Sequence, residues 1–191
     1  MPDIDIDFAD RQQILDKISH IPASIRNPGT VRKHATGIYA QTIPTDPLTG
    51  TAALDYKDAE QRGYFKLDFL NVSFYQNISN EQQLLELMHI EPEWHRLYDK
   101  SFTEQLIHIN SHYDTLIAMP EAITSIERMA MFLAVIRPAK RHLIGKTWDK
   151  VSKTVWLKPS DDSYYFKRAH AISYAYLVVV NMNYLSKNSS D

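Results

Sequence analysis

The chain has 191 residues, of which 44% are hydrophobic and 23% charged; that is enough apolar material for a core and excludes a disordered chain. It contains no cysteine, which excludes disulfides and thiolate metal sites. A formal net charge of −2 excludes the uniform basic surface of a general nucleic-acid binder.

The first residues, MPDIDIDFAD, are too acidic for a signal peptide. The longest apolar run, near Ala175 to Val180, falls far short of the roughly 20 residues of a membrane span. A soluble, cytoplasmic protein that uses no membrane is therefore expected.

Asp3 to Phe8 alternates Asp with Ile, Ile and Phe, which predicts a strand with one polar and one apolar face. Asp10 is placed to cap a helix through Gln13, Ile14, Leu15 and Ile18. Ile21 to Val31 contains two prolines and a glycine and reads as a loop. Thr36 to Ile43 reads as a strand, with Pro44 to Gly50 as a hairpin connection to Thr51–Tyr56. Asp58 to Arg62 is a short polar turn or helix. Gly63 to Leu70 is strand-like again, with Lys66 and Asp68 on one face and Phe65, Leu67 and Phe69 on the other.

Beyond Leu70 the apolar period becomes helical: Glu81 to Ile90, Thr103 to Ala118, and a run opened by Pro120 that stops before Arg137-Pro138. Ala169 to Leu185 forms a last apolar helix. The expected fold class is α+β: a small, mainly antiparallel sheet to about residue 75, then a helical region over 76–191.

Alternate residues of a strand share a face, so Asp3, Asp5 and Asp7 form a row of carboxylates about 7 Å apart. Like charges this close repel one another unless a divalent cation lies between them. Mg²⁺ takes oxygen ligands and is held by few carboxylates plus substrate phosphates. Two-ion sites share carboxylates in this way, and Asp68 in FKLDFL is the candidate from a second strand, with Lys66 beside it to hold a phosphate. An edge strand that uses Asp to deter pairing gives the same pattern, so the pattern alone leaves both readings open.

Five segments in order resemble the alpha subunits of bacterial DNA polymerase III, the family C replicative polymerases. PDIDIDF, at Pro2 to Phe8, resembles the acidic motif of their palm. RNPGTVRKHATGIYA, at Arg26 to Ala40, resembles their Arg-Asn-Ala-Gly and His-Ala-Gly-Gly stretch. DYKDAEQRGYFKLDFLNV, at Asp55 to Val72, resembles the segment with the third catalytic aspartate. SIERMAMFLAVIRPAK, at Ser125 to Lys140, resembles the helix ending in Leu-Tyr-Arg-Pro-Gly-Pro. YYFKRAHAISYAYL, at Tyr164 to Leu177, resembles the Phe-Asn-Lys-Ser-His-Ala helix.

The resemblance implies a nucleotidyltransferase-like palm with Asp5, Asp7 and Asp68 as catalytic residues and ligands of two Mg²⁺ (or Mn²⁺) ions. Asp3 is then the leading Asp of the motif and not a ligand. It implies Lys66 near the substrate phosphates and matches Arg168 and His170 to the Lys and His of the last motif. Read from the residues themselves, Arg137, in the basic segment, and His34 are further candidate phosphate contacts. The reaction implied is attack of a primer 3′-hydroxyl on the α-phosphate of a deoxynucleotide, on primer–template DNA. A source in a bacterial cell or a phage-infected host fits so reduced a form.

The sequence departs from the family in what it lacks. No segment matches the Gly-Ser half of the palm, the thumb or most of the fingers. Arg-Pro-Gly-Pro is Arg137-Pro138-Ala139-Lys140 here, and the last motif has Lys167 and Ala169 for Asn and Ser. Three expectations follow: one chain of a split polymerase whose partner completes the palm, a palm-derived nucleic-acid-binding or assembly protein without catalysis, or a minimal stand-alone nucleotidyltransferase. An unpaired sheet edge at Asp3–Phe8 or Thr36–Ile43 would be covered by that partner or by a second copy.

Arg137 to Arg168 holds nine Lys or Arg and three Asp. Lys140, Arg141, Lys146, Lys150, Lys153 and Lys167 form a candidate phosphate-tracking surface, or else a solvated face. Trp148 and Trp156 are expected to pack in a core rather than stack on bases, and Tyr164, Tyr165 and Tyr174 likewise. His34 either touches a phosphate or caps a turn. The eight histidines show no zinc spacing.

Overall fold

Alternation in IDIDF produces the first strand, β1 (Ile4–Phe8), in the computed structural model, which describes residues 4–161 and 163–188. Asp3 lies outside the described residues. The chain divides into two compact units, Met1–Ile78 and Ser79–Asp191. The fold is α+β.

In the first unit β1 is followed by the short helix α1 (Gln12–Leu15), a hairpin of β2 (Ile21–Asn27) and β3 (Thr30–Tyr39), helix α2 (Tyr56–Gln61) and β4 (Leu67–Asn71). The sheet order is β1-β4-β3-β2. β2 with β3 and β3 with β4 are antiparallel, as expected, but β1 with β4 is parallel, so the sheet is mixed. A parallel pair needs a long crossover, and everything from α1 to α2 supplies it.

The expected loop at Ile21–Val31 is instead the β2–β3 hairpin. Asn27 pairs with Thr30 across Pro28-Gly29, and Gly29 has φ +78°. Proline followed by a glycine of positive φ is the chemistry of a tight turn. Pro22 is tolerated because β2 ends the sheet order and its register shifts between Pro22 and Ser24. The expected hairpin through Pro44–Gly50 reduces to one bridge, Thr45 to Ala52. That segment is pinned by Arg26 on Asp46 at 2.9 Å and by Ser24 Oγ donating to Ala52 O at 2.8 Å.

The sheet has two apolar coverings. Leu15, Ile38 and Phe69 pack with Ile6, Phe8, Ile14, Ile18 and Leu67. Ala23, Tyr39, Ile43, Ala52 and Ala59 pack with Ile21, Leu54, Tyr56 and Tyr64.

The second unit is helical: α3 (Glu81–His89), α4 (Lys100–Thr103), α5 (Tyr113–Ile117), α6 (Ile126–Val135), α7 (Trp148–Thr154) and α8 (Arg168–Asn188). The period expected to run from Pro120 becomes helix only at Ile126, where Ser125 Oγ accepts the Arg128 N–H. α8 is the spine. Its buried Asn183 donates to Leu87 O and Ile90 O at 2.8 and 2.9 Å, and Asn181 accepts the Ile107 N–H at 2.8 Å. Among the described residues no helix is long and apolar enough to cross a membrane.

Candidate functional site

The β1–β4 register sets the site. Asp5 is the Cα partner of Asp68, and Asp7 that of Leu70. Paired residues of neighbouring strands point to the same side of the sheet. Asp5, Asp7, Asp68 and Lys66 therefore share one face, while Ile6, Phe8, Leu67 and Phe69 pack on the other. β3 contributes Gly37 to the first face, opposite Asp68.

Asp68 is nearly buried, at 9% exposure, and its carboxylate is fully engaged. Thr36 Oγ1 donates to Oδ1 at 2.6 Å, and Lys66 Nζ donates to Oδ2 in a direct ion pair. His34 Nδ1 lies 3.8 Å from Oδ1, but this is no ion pair. His34 Nδ1 accepts the Gly37 N–H at 2.9 Å and the Thr36 N–H at 3.3 Å. The Nδ1 lone pair is therefore in use and the imidazole proton sits on Nε2. Burial, and then the neighbouring Lys66 charge, hold the His34 pKa below its ordinary value, with Asp68 opposing.

Tyr56 closes one side, its ring 5.1 Å from that of His34 and 5.9 Å from Lys66 Nζ. Gly37 is there for space: a Cβ would stand 2.8 Å from Lys66 Cδ, 3.0 Å from His34 Nδ1 and 3.1 Å from Ala23 Cβ. The Tyr39 hydroxyl is buried without a hydrogen-bond partner, and burial and the charges of Asp55 and Asp68 push its pKa up to about 12. On β1, the Asp7 charge adds to burial in raising the pKa of the Tyr75 phenol.

Three carboxylates on one face suit a hard divalent ion in donor chemistry. Among the described residues, however, no group of three or more His, Asp or Glu is gathered to hold a metal ion. The ammonium of Lys66 provides the positive charge at Asp68 that a metal would otherwise provide.

The remaining expected residues belong to the second unit. Arg137 lies with its guanidinium carbon 3.9 Å over the Phe166 ring. Arg168 is exposed at the start of α8. His170 is edge-on to Phe166 and Tyr174, at 5.2 and 4.6 Å. Arg141, Lys146, Lys150, Lys153 and Lys167 are exposed, with Lys153 paired to Asp149 at 2.7 Å.

Lys140 corrects the expectation of a phosphate-tracking residue. It is 5% exposed, and its ammonium donates to Thr154 O and Leu157 O at 2.9 and 2.7 Å, satisfying carbonyls at the end of α7. Trp148 is buried and donates to Glu121 O at 3.1 Å, a packing role as expected.

No family model, curated protein or solved structure matches this chain.

Thr36, Gly37 and Tyr56 were not among the residues singled out from sequence. The signal for the first two was local: they follow His34 in HATG, inside a segment already compared with the family. Tyr56 had no such signal, because its place depends on how α2 packs against the sheet.

Proposed function

We propose that this chain is a reduced palm of the family C polymerase type, acting in two-ion nucleotidyl transfer to a DNA primer 3′ end as one part of a split enzyme. The observation that carries the reading is the Asp5–Asp68 register, which gives the DID strand and the KLD strand a common carboxylate face. Asp5, Asp7 and Asp68 would hold Mg²⁺ or Mn²⁺, and the ions would supply activation of the attacking hydroxyl and neutralisation of phosphate charge. Lys66 exchanges Asp68 for a substrate phosphate. Thr36 keeps Asp68 aimed, and His34, locked as the Nε2–H tautomer, offers a neutral donor beside it. The β1 edge, which ends the strand order, is where a further strand of such a palm would add to the sheet.

The test is Mg²⁺- or Mn²⁺-dependent primer extension by the wild type, Asp5→Ala and Asp68→Ala, each alone and with proteins that co-purify from the native source. Extension lost in both variants supports the reading, and dependence on a co-purified chain identifies the split form.

One observation favours a second reading. The Lys66–Asp68 pair neutralises a would-be ligand internally, as suits a palm kept as a nucleic-acid-binding or assembly scaffold. No extension in any mixture, with DNA binding equal in wild type and both Asp variants, decides for the scaffold.

A further inference from the structure

We propose that the second unit carries an oxyanion site centred on Arg137, with His108, His112 and Arg141 around it, and that it takes a phosphate group. Arg137 follows α6 where Pro138 prevents the helix from continuing. Its guanidinium stacks on Phe166, and its Nε is buried with no hydrogen-bond partner. Among the described residues no carboxylate or carbonyl receives any of its side-chain N–H groups.

Other arginines of the chain are provided for. Arg26 meets Asp46 at 2.9 Å, Arg96 meets Ser186 Oγ at 2.7 Å, and Arg128 meets Ala122 O at 2.8 Å. A guanidinium has five donors in a fork matched to oxyanions. Leaving a half-buried fork empty is costly, because buried charges are ordinarily paired. The C-terminal end of α6 offers Arg137 some partial negative charge, yet no carbonyl there accepts from its side chain.

Among the described residues the surroundings add positive charge, and no carboxylate acts on Arg137. The groups acting on Arg137 are the phenols of Tyr164 and Tyr174, which only partly offset the effect of burial. His108 is held in the left-handed backbone region at φ +66°, its ring 4.3 Å from Tyr174, and its Nε2 is a second buried atom without a partner. Burial, then Arg137 and His170, push its pKa down to about 4. His112 is lowered by burial, Arg137 and Arg141. Arg137 Nε and His108 Nε2 are thus two buried atoms without partners in one cationic neighbourhood. His112 and Arg141 add charge to it, Arg141 while donating its Nε–H to Ile136 O at 3.4 Å. Among the described residues no carboxylate is among the groups acting on Arg137, His108 or His112. Such a centre is completed by a multiply charged oxyanion, as on a nucleotide or a nucleic-acid backbone. The inference rests on this geometry and stands whether or not the chain polymerises DNA.

Sulfate, which does not titrate near neutrality, is the probe for the intact chain. It is expected to shift the Arg137 Nε–H signal and the ring signals of His108 and His112, and to raise the melting temperature. Bound anion favours imidazolium, so the complex holds more protons than the free protein and affinity rises as pH falls from about 7.5 to about 5.5. Arg137→Met keeps the packing on Phe166 and is expected to weaken sulfate about tenfold or more. In sulfate-free buffer that variant melts no lower than the wild type, since an unpaired cation has been removed.

Competition then separates the sources. Displacement of sulfate by deoxynucleoside triphosphate but not by an oligonucleotide assigns a free nucleotide, and the reverse assigns a nucleic-acid backbone. Unchanged sulfate affinity in Arg137→Met overturns the proposal. So does the absence of any shift at Arg137, His108 and His112 in the wild type at saturating sulfate and pyrophosphate, a result that does not depend on any variant folding.

Discussion

Lys66 and Asp68, two residues apart on one face of the sheet, are in direct ammonium–carboxylate contact with their side chains only 17% and 12% exposed. A pair this enclosed is held in place by what its loss would leave behind, a buried charge without a counter-charge. Lys66 therefore occupies the electrostatic position of a cation on the carboxylate face.

Lys66→Met separates the two uses of that face. Without added metal the variant should lose about 1–3 kcal/mol in urea titration, the cost of leaving a buried carboxylate short of a partner. If the face is a cation site, millimolar Mn²⁺ should restore that loss. Mn²⁺ should also bind about tenfold more tightly to the variant than to the wild type, because one competing charge has gone. Calorimetric titration reads the binding directly. A variant that neither binds Mn²⁺ nor regains stability in its presence would sink the metal reading and leave the aspartates as scaffold.

Thr36 is the second support of Asp68, through its 2.6 Å hydroxyl bond. Thr36→Val removes the donor with little change of shape and should cost about 1–2 kcal/mol, whereas Thr36→Ser should stay within about 0.5 kcal/mol of the wild type. Equal losses in the two variants would show that the methyl group's packing matters and that the hydroxyl does not hold the carboxylate. In an active enzyme, Thr36→Val should also raise the Mn²⁺ concentration needed for half-maximal extension.

Periodicity carried much of the fold and none of the register. IDIDF and KLDFL were legible as strands because the alternation is strict, and Glu81–His89 and Arg168–Asn188 as helices because apolar residues recur at helical spacing. The parallel pairing of Asp5 with Asp68 joins distant parts of the chain and has no local signature. The β2–β3 hairpin was obscured because its prolines resemble loop chemistry, although one forms the turn and the other sits on a terminal strand. The run from Thr103 to Ala118 breaks into separate turns, with His108 in the left-handed region between them. Lys140 looked like its exposed neighbours Arg141 and Lys146; only the end of α7, with carbonyls to satisfy, distinguishes it.

His34 gives the candidate site a pH dependence whose sign is set by burial and then by the neighbouring Lys66 charge. In the unfolded chain it titrates at its ordinary 6.5, and in the folded protein lower, through burial and then the Lys66 charge. Between the two values the unfolded chain holds more protons, so falling pH favours unfolding. The stabilisation from neutral His34 is full above pH 6.5 and is lost as pH drops toward the folded value. Protonating Nδ1 would also eject the Gly37 and Thr36 N–H groups that point at it. His34→Asn places an amide oxygen near the Nδ1 position and removes the titration. Urea titrations from about pH 7.5 to about pH 5 should therefore fall more steeply for wild type than for His34→Asn. His108, whose pKa is also lowered, contributes the same slope to both proteins and cancels in the difference. Identical slopes, or a His34 ring resonance that titrates above 6.5, would mean that Nδ1 carries the proton and that the neutral donor assigned to Nε2 does not exist.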